Sequence, residues 1–425
     1  MHVARKLDSI RTLEAERGST AIAYNPGTMT DPLPAVERAM AAFRRRVRGR
    51  PLMAYEKCRQ VLHDLREVSA EVFGGPADCW AMADGHTATI DRIASSLGEW
   101  FDGSARVVST DSEHVGGIGA FSADRRFTVQ QVPAERLVET PGDIYFLSHL
   151  TYDTNHDNGA VIRTLAARAD HPIVIVDGNQ AVGQIAVDVE ALGCHVYIAS
   201  AHKWLGGPHG GGLLYLRHDL IERWPSPFRA GDPLAPELPI GRWEPRGGQD
   251  FSRVAGIAAA VRAYQVHARP GRPVREHFIR ALQRALGDRV HPIAASTPEG
   301  RVVAFELIGM DVYPVYRQLA DRGVSVKCIK KPGKPAEVND GCLEVLRVGF
   351  PWWTETDRVD DAVAILAEVV DGITPASLGS TTQRRRRRGR GLPVTVDGTA
   401  ATIPVALLPA RPPSPTTTAL CGETT

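Results

Sequence analysis

The chain has 425 residues, 50 basic and 49 acidic side chains, and a formal net charge of +1. Hydrophobic residues make up 43%, an ordinary share for a globular protein. This length exceeds one small core, and the charge balance excludes a surface that is wholly a polyanion-binding face. No run approaches the ~18 apolar residues of a membrane helix. The opening stretch MHVARKLDSIRTLEAERG carries no apolar core of the secretory type. The six cysteines, at 58, 79, 194, 328, 342 and 421, contain no CxxC pair. A reduced, cytoplasmic chain is therefore expected.

In chain order, an amphipathic helix is predicted near Tyr55–Phe73, stopped by Gly74-Gly75. A helical pattern follows at Ala88–Leu97, then a strand at Arg106–Ser109 and another at Ile144–Ser148. A helix at Ala160–Arg168 precedes strands at Ile173–Val176, Val196–Ser200 and Leu213–Leu216. Ser252 is placed to cap a helix carrying Val254, Ile257, Ala258, Val261 and Tyr264 at helical spacing. Strands alternating with helices predict a mostly parallel sheet covered on both faces, a three-layer α/β/α domain. Residues 1–265 are assigned to it, and 266–375 to a smaller α+β domain. Residues 376–425 hold seven arginines, five of them in the run Arg384–Arg388, and Pro- and Thr-rich stretches. This tail carries about +5, so the body is mildly acidic, and it lacks the patterning of a core.

Ligands of open α/β sheets bind beyond the carboxyl ends of the strands. Asp177-Gly178-Asn179-Gln180 follows one predicted strand, and Ala201-His202-Lys203 another. Glu113-His114 and Ser148-His149 follow two more. Lys203 precedes a glycine-rich turn, where burial favours the free, nucleophilic amine. Taken alone, it could equally snorkel to solvent or pair with an acid. Asp177 could hold a cofactor ring nitrogen in its charged form, or simply form a turn. His195, His202 and His209 fall at seven-residue spacing, which fits no common zinc motif, and no metal is expected.

The segment VDGNQAVGQIAVDVEALGCHVYIASAHKWLGGPHGGGLLYLR resembles the cofactor-binding core of the class V aminotransferase family. These are fold-type I pyridoxal phosphate (PLP) enzymes, and include cysteine desulfurases, selenocysteine lyases and isopenicillin-N-epimerase-like proteins. Weaker agreement runs from about Tyr24 to Val370. The resemblance implies that Lys203 bonds PLP covalently and that Asp177 pairs with its ring nitrogen. It implies that Gln180 contacts the phenolic oxygen and that His114 stacks on the ring. Ser200, His202, Gly85, His86 and Thr87 would bind the phosphate, a role that a glycine turn opening a helix suits. Arg347, in LRVG, would grip the substrate carboxylate. The family also implies a homodimer with active sites near the subunit interface.

Three departures from the family pattern are visible. In GVSVKCIKKPGKPAEVNDG, Cys328 lies within the apparent strand, and Pro332 falls near the position of the desulfurase nucleophile. Cys328 is therefore expected to be a packed thiol. In SHLTYDTNHDNG, Tyr152 stands where the family has an asparagine, leaving Asn155 as a candidate substrate contact. Gln249, in RGGQD, is the candidate for a phosphate contact from the neighbouring subunit.

The expectation is a PLP enzyme acting on an amino acid or cysteine conjugate through a Cα carbanion. Lysis of a C–S bond or transamination leads; desulfuration and epimerisation are the alternatives. A different class, a non-catalytic scaffold with a polyanion-binding arginine tail, has less in its favour. No aromatic residue occurs in 376–425, so base stacking has no platform and nucleic acid is not an expected partner.

Overall fold

The computed structural model describes residues 22–224, 237–268, 270–293, 297, 299–329 and 345–373. The arginine-rich tail lies outside them. The first elements are β1 (Ile22–Ala23), α1 (Pro34–Val47) and α2 (Met53–Phe73). Helix α2 buries Cys58, Leu62, Leu65, Val68, Ser69 and Phe73, one stripe at helical spacing. It ends at Gly74 with φ 75°, where a Cβ would lie 2.6 Å from Asp188 Oδ1, so the stop is both conformational and steric.

The order continues with β2 (Trp80–Ala83), α3 (His86–Trp100), β3 (Ala105–Thr110), α4 (Val115–Ser122) and β4 (Phe127–Val132). Next come β5 (Ile144–Ser148), α5 (Gly159–Ala166), β6 (Ile173–Asp177), α6 (Val189–Leu192), β7 (Val196–Ser200) and β8 (Gly212–Leu216). Strands β2 to β8 form one seven-stranded sheet in the order β2-β8-β7-β6-β5-β3-β4. Only β8 runs against its neighbours. Every residue of β5, β6 and β7 is buried, as in a parallel sheet covered on both faces. In register, Ser148 lies opposite Asp177, and Asp177 opposite Ile198. The carboxyl ends of three adjacent strands are thereby brought level.

Helices α7 (His218–Arg223) and α8 (Ser252–His267) follow. Ser252 is the first residue of α8 and not its cap. Its amide and hydroxyl both donate to Asp250 Oδ1, at 3.1 and 2.6 Å, so the carboxylate two residues upstream satisfies the helix start.

The remaining elements are α9 (Arg272–Leu286), β9 (Val290–Ile293), β10 (Val302–Leu307), α10 (Val312–Asp321), β11 (Val324–Ser325), β12 (Lys327–Ile329), β13 (Val345–Gly349) and α11 (Thr356–Gly372). Four of these strands form an antiparallel sheet, β12-β13-β10-β9. It packs with α9, α10 and α11 around a second core that includes Phe278, Phe305, Val315, Leu346 and Phe350. The N-terminal segment joins this second core. β1 pairs with β11, and Tyr24 packs among these residues while its hydroxyl donates to Arg358 O at 2.5 Å. Conversely, Trp352 and Trp353 pack into the larger core.

Candidate active site

A cleft of about 1110 Å³ opens at the carboxyl ends of the parallel strands and is bounded on its other side by β12 and β13. Its lining includes Gly85, His86, Thr87, His114, Gln180, Ser200, His202, Lys203 and Arg347. Asp177 sits directly behind His86, its Oδ2 at 3.2 Å from His86 Nε2. Ten of the twelve residues given a cofactor or substrate role from the sequence thus meet at one place.

One end of the cleft is suited to an anion. Gly85, with φ 88°, turns the chain from β2 into α3. The amide of His86 donates to Ser200 Oγ at 3.1 Å, and Ser200 N donates to Asn179 Oδ1 at 2.8 Å. The first-turn amides of Thr87 and Ala88 have no protein acceptor among the described residues, as expected at a helix start. His202 Nδ1 is buried without a hydrogen-bond partner. Burial, with Lys203 and His209 adding to it, pushes the His202 imidazole down to about 4. Open amides, a hydroxyl and an orphaned ring nitrogen form a donor set that fits a phosphate group.

Lys203 follows β7, and its carbonyl accepts from Thr30 Oγ1 at 2.9 Å and Gly206 N at 3.1 Å. Among the described residues its ammonium has no ion-pair partner within 4.0 Å. Burial lowers its pKa, Asp177 opposes that, and Arg347 and Lys327 add to it. The free amine is therefore more accessible than in an ordinary lysine. Asp177 is 5% exposed, and its Oδ1 accepts from Asn179 N at 2.8 Å. The facing His86 is lowered chiefly by burial, which keeps it neutral. Among the described residues the Oδ2 of Asp177 has no lysine or arginine within ion-pair distance.

His114 serves both a helix start and the cleft. It caps α4, its Nδ1 accepting from Gly116 N at 3.0 Å, and it also faces the cleft. Burial lowers its pKa, so Nδ1 is the unprotonated nitrogen and Nε2 carries the hydrogen. Its ring stands nearly perpendicular to Tyr152, centroids 5.7 Å apart. Gln180 is held at both ends: Nε2 donates to Gly27 O at 3.0 Å, and Oε1 accepts from Trp204 Nε1 at 2.9 Å. Arg347 is 4% exposed and donates to Tyr152 O and, at 3.2 Å, to Asn25 Oδ1. Burial brings its guanidinium down to about 10. Among the described residues no carboxylate is paired with it; Glu344 lies outside them.

One expectation is corrected. Asn155 does not reach the cleft. It is 1% exposed with φ 63°, and its amide is paired reciprocally with Gln184 at 2.6 and 3.1 Å. The shifted loop turns it inward, where those bonds offset its burial. Gln249 also faces its own chain, donating to Pro245 O at 3.0 Å and accepting from Arg253 at 2.7 Å.

The sequence reading placed Glu113 at a strand end without giving it a role and passed over Lys327; both lie on the cleft wall. Glu113 is 3% exposed and accepts from Thr110 Oγ1 at 2.7 Å, Ser148 Oγ at 2.5 Å and Ser148 N at 3.0 Å. Burial pushes its carboxyl up to about 7 despite these bonds. The available signal was its place beside His114 just beyond β3. Cys328 lies in β12, 8% exposed, with its thiol pushed up to about 12 chiefly by burial. Among the described residues one group, Asp78, Cys79 and His218, could converge on a metal ion, but it lies at the amino end of β2, away from the cleft. No helix of the described residues is long and apolar enough to cross a membrane.

A family model described as aminotransferase class V matches residues 160–361. The chain is 25% identical over 403 residues to an isopenicillin N epimerase of Streptomyces clavuligerus, covering 84% of this chain and 95% of that protein. It is 26% identical over 341 residues to a cysteine desulfurase of Serratia proteamaculans, covering 73% and 82%. Among solved structures, the cysteine desulfurase of Thermococcus onnurineus superposes with a TM-score of 0.69 at 17% identity, over 83% of this chain and 95% of that one. A cystine C–S lyase in complex with cysteine persulfide superposes at 0.68 with 20% identity, over 82% and 98%. These superpositions establish a shared fold-type I architecture.

Proposed function

We propose that the chain is a PLP-dependent enzyme of the class V aminotransferase type, whose model matches residues 160–361, and that it acts on an amino acid or cysteine conjugate, either cleaving a C–S bond by β-elimination or transferring the amino group. When bound, PLP supplies an electron sink for the pair left at Cα after proton removal.

In this reading the Thr87 and Ala88 amides, with Gly85, His86, Ser200 and His202 around them, hold the phosphate. Asp177 would pair with the ring nitrogen, His114 would support the ring and Gln180 would contact its phenolic oxygen. Lys203 would hold the cofactor covalently, and its amine is the base placed to take a proton from the substrate Cα. Arg347 orients the substrate through its carboxylate. A homodimer completes the picture, with active sites near the interface.

The observation that supports this best is the meeting of Lys203, Asp177 and Arg347 at one cleft, with the open α3 amides beside them. Desulfuration needs a reactive thiolate on the substrate side. Among the described residues Cys328 is the cysteine on the cleft wall, and a thiol at about 12 stays protonated near neutrality. Cys328 itself is therefore a poor candidate for persulfide transfer.

The test is to offer the purified holoenzyme a panel of amino acids and cysteine conjugates. Pyruvate with ammonia indicates elimination, and keto acid formed only with an acceptor present indicates transamination. Sulfide with alanine restores desulfuration, and inversion at Cα restores epimerisation. A yellow holoenzyme inert toward every amino acid contradicts the proposal.

A further inference from the structure

The wall of the cleft opposite the parallel strands carries two cations side by side. Lys327 on β12 is paired in register with Arg347 on β13, and both line the cleft. Residues directly opposite in an antiparallel pair point to the same face, with Cβ atoms about 5 Å apart, and like charges placed so repel. A fold keeps such a pair at low cost when an anion sits between or beside them.

Among the described residues no protein anion is paired with either one. Among the described residues neither side chain has a carboxylate within 4.0 Å. The Arg347 guanidinium bonds two neutral oxygens, Tyr152 O and Asn25 Oδ1. Asp153 acts on Arg347 by charge but forms no ion pair with it, and its Oδ1 accepts from the Thr154 amide at 2.7 Å. Of the acids lining the cleft, Asp84 is paired with Arg92 at 2.7 Å, Glu113 is enclosed by Thr110 and Ser148, and Asp91, exposed on α3, forms no ion pair with either cation. Lys327 is exposed to the cleft and has neither a hydrogen bond nor an ion pair among the described residues.

One amino-acid carboxylate neutralises one of the two cations. Resting on the reading that Arg347 takes the substrate α-carboxylate, we infer that Lys327 takes a second anionic group, so the substrate is an amino acid whose side chain ends in a carboxylate or sulfonate. A cysteine conjugate bearing an acidic S-substituent belongs to this class. Lys327 is then a specificity-determining residue, and a neutral side chain leaves it uncompensated.

The inference is tested by binding to the holoenzyme without turnover. Succinate and propionate differ by one carboxylate, and calorimetric titration gives the ratio of their affinities. The wild type should favour succinate by about fivefold or more, the scale of one exposed charge pair. Lys327→Ala and Lys327→Gln should each collapse that ratio toward one, the second retaining most of the side chain's bulk. Arg347→Ala should weaken both ligands. Absence of succinate binding by the wild type, or a ratio that survives both Lys327 variants, overturns the inference. The visible colour of the holoenzyme and its turnover of amino acids are scored separately. The second-anion site can therefore fail while the broader enzymatic reading stands, and the reverse.

Discussion

Glu113→Gln tests the electrostatics of the cleft floor. The carboxyl is enclosed by Thr110, Ser148 and the ends of β3 and β5. Moving it from its ordinary 4.5 to about 7 makes the ionised form costly by about 3 kcal/mol. The sign follows from proton counting. Below about 4.5 both folded and unfolded chains hold the proton, and nothing is lost. Between that value and about 7 the unfolded chain has released it while the folded chain has not, so stability falls as pH rises. Above about 7 the loss is complete and the curve flattens. Glutamine copies the neutral form, and the Thr110 and Ser148 hydroxyls can rotate to accept from its amide. Urea unfolding of both proteins from about pH 5 to about pH 8 reads the effect. The buried Glu244, also raised to about 7 by burial, contributes equally to both and cancels in the difference. Wild type should lose about 2–3 kcal/mol relative to Glu113→Gln across this range. Parallel profiles refute the reasoning.

Arg66 and Glu244 form a buried pair at 2.7 Å, so Arg66→Ala should destabilise by about 3–5 kcal/mol, less at acidic pH where Glu244 takes up a proton; urea unfolding at two pH values reads both effects. Gly183 has φ 87° and a Cβ there would lie 2.6 Å from the Trp204 carbonyl carbon. Gly183→Ala should therefore displace the turn that carries Lys203, lowering Tm and PLP affinity together, with a loss of about 2 kcal/mol or more by unfolding. Truncation after Pro375 should leave PLP binding and turnover unchanged, as measured by cofactor titration and steady-state kinetics.

The parallel sheet was legible because its strands are continuous apolar runs bounded by turn residues. Ile144–Ser148 and Val196–Ser200 match their predicted limits for that reason. Helix α3 begins two residues before the predicted Ala88, because Gly85 with positive φ, not a side-chain oxygen, ends the preceding turn. The site was legible where chemistry and strand ends coincide, at Asp177 and Lys203. It was not legible at Asn155, whose destination depends on Gln184, 29 positions away along the chain. Tyr24 in the second core likewise depends on a parallel pairing between β1 and β11, which no local pattern announces. Glu113 had a strand-end position but no role, and Lys327 no local signal, until the fold encloses one and sets the other opposite Arg347.

The central claim is that Lys203 bonds PLP at this cleft. Visible absorption of the purified protein, before and after Lys203→Ala, tests it most directly. The wild type should be yellow and bleach on borohydride reduction, with the cofactor then fixed to a peptide containing Lys203. Lys203→Ala should lose the protein-linked band while still binding added PLP reversibly through the α3 amides. A wild type that stays colourless after incubation with PLP, or a variant whose covalent band persists, contradicts the account.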